Sequence, residues 1–86
     1  MNPKEAYDRL CDFLGTKVGV KICREYDKYY CFFIAPYGTA KDEVAFVGRT
    51  HYIVSKKTGK VYASDDYDSP RLPFGYWESI DTDIFR

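Results

Sequence analysis

Histidine, tryptophan and methionine each occur once in these 86 residues, and neither sign of charge is in excess: 13 Lys and Arg balance 13 Asp and Glu. Each shortage excludes something. With one imidazole, every histidine-dependent mechanism must run through His51. A zero net charge argues against non-specific nucleic-acid binding, which needs a basic footprint. The longest apolar run, Tyr29 to Tyr37, is too short to span a bilayer. The opening MNPKEAYDRL has no basic stretch followed by an apolar one, so no secretory signal is expected. Three cysteines are an odd number, which argues against a closed disulfide framework and fits a reducing cytoplasm.

What is present is aromatic. Apolar residues make up 45 % of the chain and aromatic ones 19 %, with nine tyrosines and six phenylalanines, so a disordered segment is excluded and sheet is favoured. The length implies one domain, residues 1–86, burying roughly 60 to 65 % of the surface of its unfolded chain. No internal repeat or linker divides it. The charge is unevenly spread: residues 1–59 carry ten Lys/Arg against seven Asp/Glu, residues 60–86 three against six.

The pattern of elements can be read along the chain. Asn2 is a cap and Pro3 a first-turn residue for a helix over 3–14. Its stripe is Ala6, Leu10, Phe13 and Leu14, flanked by Tyr7 and Cys11, and Gly15 ends it. Val18, Val20 and Ile22 alternate with Lys17, Lys21 and Cys23, a half-buried strand. A three-residue turn at Tyr26-Asp27-Lys28 would set Ile22 against Phe32, Val20 against Ile34 and Cys23 against Cys31. Tyr29 to Tyr37 reads as a central strand ended by Pro36, and 38–42 as a loop. The segments 43–47 and 51–55 suggest one strand bent at Gly48. His51 to Asp65 is a hairpin whose Gly59 closes a type I turn with a bulge. Its register would pair Lys56 with Lys60, Val54 with Tyr62 and Tyr52 with Ser64. Two prolines and Gly75 interrupt the chain after Ser64, and a short helix over 76–80 is expected. The fold class is α+β: one N-terminal helix packed on an antiparallel sheet of about four strands, with an irregular aromatic-acidic C-terminal tail.

Several groups invite a chemical interpretation. Cys11, Cys23, Cys31 and His51 add up to three thiolates and one imidazole, but spacings of twelve, eight and twenty lack the short knuckle of structural zinc sites. Free thiols are the simpler account, with a Cys23–Cys31 cross-strand pair as the oxidised alternative. No motif around His51 supplies a nucleophile and an orienting group. Asp65, Asp66 and Asp68, and later Glu78, Asp81 and Asp83, miss the calcium-loop spacing and suit solvated caps. Tyr29, Tyr30, Phe32 and Phe33 near Lys21, Arg24 and Lys28 resemble a base-stacking platform, although sheet packing explains them more simply. In the tail, Tyr67, Leu72, Phe74, Tyr76, Trp77 and Phe85 alternate with charges. They either fold back to complete the core or serve as contact anchors.

A short N-terminal helix (EAYDRLCDFL), the aromatic pair Phe32-Phe33, Gly48 before an apolar run and the segment YIVSKKTGKVY together resemble the immunity protein 35 family. Its members are small cytoplasmic proteins of bacterial polymorphic toxin systems that bind and neutralise a cognate toxin. The resemblance covers about residues 5–65 and implies fold and broad role. It leads to a small cytoplasmic inhibitor, not an enzyme, with no cofactor, no metal, no membrane and no direct nucleic-acid contact. The protein partner is a toxin or defence protein, such as a nuclease with a basic groove that carboxylates would complement. Asp65, Asp66, Tyr67, Asp68, Arg71, Trp77 and Glu78 are the expected partner-binding residues. Three alternatives stand beside it. One is a phage-encoded inhibitor of a bacterial defence system. Another is a ligand-binding or enzymatic module with a pocket between helix and sheet near Cys31, His51 and Tyr62. The third is a homodimer paired through an exposed sheet edge.

Overall fold

A computed structural model describes residues 1–36, 51–64, 67–71 and 75–85. Helix α1 (Pro3–Leu14) begins where the sequence places it, on a reciprocal cap. The Glu5 N–H donates to Asn2 Oδ1 at 2.8 Å and the Asn2 N–H to Glu5 Oε1 at 3.2 Å, satisfying two of the free donors of the first turn. Gly15, at φ 75°, closes it by donating to the Cys11 carbonyl at 2.8 Å. Among the described residues no helix is long and apolar enough to cross a membrane.

Among the described residues five antiparallel strands come after it: β1 (Val18–Glu25), β2 (Tyr29–Pro36), β3 (Tyr52–Ser55), β4 (Val61–Ala63) and β5 (Glu78–Ile80). Their order in the sheet is β4-β3-β2-β1-β5. The α+β class holds, with one strand more than expected. The extra strand lies where a helix was expected, because Glu78–Ile80 pairs with Cys23–Glu25 along the open edge of β1. The tail is therefore not irregular throughout. After β5 a 3-10 turn, η1 (Thr82–Phe85), returns Phe85 to the core. The strand expected over 43–47, its bend at Gly48 and the loop over 38–42 lie outside the described residues.

Two registers differ from expectation, each for a local reason. The β1–β2 hairpin closes over two residues, Asp27 and Lys28, with the Tyr26 N–H donating to the Tyr29 carbonyl at 2.8 Å. Glu25 therefore faces Tyr30, Cys23 faces Phe32 and Arg24 faces Cys31. A bulge between Val20 and Ile22 inserts Lys21 as an extra residue, after which Val20 faces Ile34 as anticipated. The bulge changes which side chains share a face. Val18, Val20 and Cys23 point to the helix, and Ile22 points away with 43 % of its surface exposed. In the β3–β4 hairpin four residues separate the closing pair Ser55 and Lys60, so Val54 faces Val61, Ile53 faces Tyr62 and Tyr52 faces Ala63. Gly59, at φ 73°, still makes the turn. A Cβ there would sit 3.3 Å from the Arg9 guanidinium carbon, so the turn is packed beneath α1 as well as left-handed.

The core lies between α1 and one sheet face. Ala6, Tyr7 and Leu10 from the helix meet Val18, Cys23, Tyr30, Phe32, Val54, Val61 and Phe85. Phe85 packs edge-on to Phe32, ring centroids 5.6 Å apart, and lies 5.0 Å from Tyr7. The Tyr7 hydroxyl donates to the Val18 carbonyl at 2.6 Å, tying the helix to the start of β1. Phe13, counted in the helix stripe from its spacing, is half exposed, its ring centroid 6.3 Å from that of Tyr52.

Candidate partner-binding face

Strand alternation, reset by the bulge, decides what the second sheet face carries. No described helix covers it. From β1 across to the β4 edge it presents Ile22 and Arg24 of β1, Cys31 and Phe33 of β2, Ile53 of β3 and Tyr62 of β4. Cys31 and Ile53 are buried at its centre. Across it runs a stack of rings and one cation. The Arg24 guanidinium carbon lies 4.4 Å from the Trp77 ring centroid and 5.4 Å from that of Phe33, and Phe33 in turn stacks on His51 at 5.0 Å and 27°. Arg24 Nε is buried without a hydrogen-bond partner. Burial, with the positive charge of Arg24 adding to it, lowers the His51 pKa below its ordinary 6.5.

The expected partner-binding residues fall at two separate places. Asp65 and Asp66 lie outside the described residues. Tyr67 is fully exposed, Arg71 is exposed, and Asp68 pairs with Lys60 at 3.7 Å at the β4 edge, where Lys60 also covers the Tyr62 ring. Trp77 and Glu78 sit at the β5 edge. Four strand spacings of about 4.8 Å put the two edges roughly 19 Å apart. Trp77 is 40 % exposed although it lies over Arg24. Beside it the Tyr76 hydroxyl donates to Glu78 at 2.9 Å, a bond that raises the tyrosine's pKa. Leu72 and Phe74 lie outside the described residues.

Other candidates are rearranged by the sheet. The cysteines do not converge: Cys23 faces the helix and Cys31 the opposite side, so the anticipated Cys23–Cys31 pairing is replaced by Cys23–Phe32. All three are free thiols. Burial pushes Cys23, with help from Cys31, and Cys31 up to about 12. No group of three metal-ligating side chains forms among the described residues. The aromatic platform is divided too, because Tyr30 and Phe32 enter the core while Phe33 stays on the other face. Cys31, His51 and Tyr62 share that second face. A pocket holding them between helix and sheet is therefore ruled out by register.

At the end of the sheet, Glu25, Asp27, Lys28, Lys56, Tyr76 and Glu78 line an open groove of about 550 Å³. Its charges are mixed, and Lys56 already binds Glu25 at 2.7 Å. Sequence reasoning set Arg24 near Phe33 but did not join Ile22, His51 and Trp77 to them. The missing signal was the bulge, since a strictly alternating β1 buries Ile22 and moves Arg24 off the Phe33 row. Compared with protein families, curated proteins and solved structures, the chain matches none.

Proposed function

We propose that this chain is a small inhibitory binding protein that neutralises a partner protein, most simply an immunity protein that blocks a bacterial toxin. The observation that carries it is Trp77, a large ring left 40 % exposed yet held over Arg24, next to Tyr76, which is 81 % exposed and bonded to Glu78. Aromatic anchors held in place before contact lose little freedom on binding, and such residues dominate the energetics of protein interfaces. Carboxylates at both sheet edges, Asp68 and Glu78 among them, would speed encounter with a basic partner.

The test is affinity capture with the full chain from its native host, followed by an activity assay of the captured protein. Inhibition of that protein at stoichiometric ratio is expected, with Trp77→Ala weakening it about tenfold or more, the usual cost of truncating an anchor. A captured protein whose activity is unchanged by saturating amounts of this chain would refute the inhibitory role.

A further inference from the structure

The stack on the second face contains an unsatisfied polar group. Arg24 Nε is buried and unpaired. Among the described residues the ion pairs are Lys4–Asp8, Lys56–Glu25 and Lys60–Asp68, and none includes Arg24. Its neighbours are instead the Trp77 and Phe33 rings, 4.4 and 5.4 Å from the guanidinium carbon, which accept no strong hydrogen bond. Guanidinium donors match carboxylate oxygens in pairs, and Arg24, with Nε buried but the residue only half-buried, remains within reach of one. Beside this cation lie two partly exposed apolar surfaces, Ile22 at 43 % and Trp77 at 40 %.

We propose that Arg24, clamped between Trp77 and Phe33, anchors a docking site for a carboxylate-bearing segment of the partner protein, with Ile22 and Trp77 receiving the apolar groups that flank the carboxylate. The occupant is set by charge. The row of Trp77, Arg24, Phe33 and His51 offers one fixed cation, Arg24, and the next cation on that face, Lys60 over Tyr62, is already paired with Asp68. A nucleic-acid backbone takes several neutralising contacts in series, whereas a single carboxylate takes one. This rests on the binding role proposed above, but it concerns a different surface from the acidic edges. There the partner supplies cations; here it supplies an anion.

The test uses the 15N-labelled full chain and a capped peptide, Ser-Leu-Glu-Leu-Ser, with its Gln counterpart and an oligothymidylate as controls. Arg24 Nε–H is shielded from water, so its resonance is observable and reports on the site directly. The Glu peptide is expected to shift that signal and the Trp77 indole N–H saturably, and the Gln peptide to bind about tenfold more weakly. Arg24→Met should abolish the response while the remaining amide spectrum is retained. Should that variant lose its fold, Trp77→Ala tests the same site through weakened peptide binding. Equal binding of the Glu and Gln peptides, absence of a saturable shift, or preferential binding of the oligothymidylate would overturn the site. Full capture and inhibition of the native partner by Arg24→Met would leave the inhibitor intact and remove this site from it.

Discussion

Glu25 joins three parts of the chain. Its carboxylate accepts from Lys56 Nζ at 2.7 Å and lies 3.3 Å from the Tyr30 hydroxyl, whose single proton is shared with the Met1 carbonyl at 3.1 Å. Burial, reinforced by Glu25, pushes the Tyr30 phenol up to about 12, so it remains a donor at all working pH values. The Lys56 hydrogen bond holds the Glu25 carboxyl below its ordinary 4.5. A lowered folded-state pKa means the unfolded chain takes up the proton first. The stability from this contact is therefore complete above 4.5 and disappears as pH falls through the lower folded-state value. Glu25→Gln should cost at most about 1 kcal/mol at neutral pH, since both partners are partly solvated. Thermal melts below pH 4.5 should then show the variant losing less stability with acid than the parent does; parallel curves would count against the linkage. Features of this kind separate what the sequence reveals from what it hides. Asn2, Pro3, Gly15 and Gly59 act on neighbours within a turn, so their roles could be identified without coordinates. Glu25 and Lys56 are 31 positions apart, and only the meeting of two hairpin ends brings them together.

Among the elements, β1 shows how one residue can redirect a strand. Its alternation was legible, and the Val20–Ile34 pair came out right although it was drawn from a three-residue turn that the chain does not make. The remainder was displaced because a two-residue turn and an inserted Lys21 each shift register by one, and the two shifts cancel beyond the bulge. Neither leaves a mark in composition. Deleting Lys21 would leave Val20–Ile34 and Ile22–Phe33 as consecutive pairs, with Val18 and Val20 still facing α1, so the deletion variant, like Lys21→Ala, should retain the native circular dichroism spectrum and most of the melting temperature. An unfolded deletion variant would contradict the assigned bulge. The tail gives the second case. Of its two anticipated fates, folding back and contact, Phe85 takes the first, between Tyr7 and Phe32, while Tyr67 and Tyr76 stay exposed. Phe85→Ala removes a buried ring and should cost about 3 to 5 kcal/mol in urea unfolding, against under about 0.5 kcal/mol for Tyr67→Ala. The pattern gave no hint of this, because Phe85, Tyr67 and Tyr76 are all large aromatic residues set among charges.

Across the whole molecule, a balanced total charge conceals a division of labour between edges and face. Asp68 lies at the β4 edge, Glu78 at the β5 edge, and Arg24 between them on the face that Trp77 and Phe33 border. A partner burying a standard patch of about 800 Å² on this chain would cover a disc some 30 Å across, wide enough to reach both edges at once. The expected contact residues therefore need not be contiguous to act together, but their energies should reveal the separation. Substitutions more than about 10 Å apart with no shared neighbour add, whereas those in contact do not. In titration calorimetry with the captured partner, Asp68→Ala and Trp77→Ala should sum to within about 0.5 kcal/mol in the double variant. Trp77→Ala and Arg24→Met, whose groups lie 4.4 Å apart, should fall short of their sum by about 1 kcal/mol or more, because once the ring is gone the cation has lost its clamp. Additivity in the second pair would mean that the stack is packing without a joint role in binding. Coupling in the first pair would mean that the partner engages one edge through the other, and a sheet with fixed strand spacings offers no route for that.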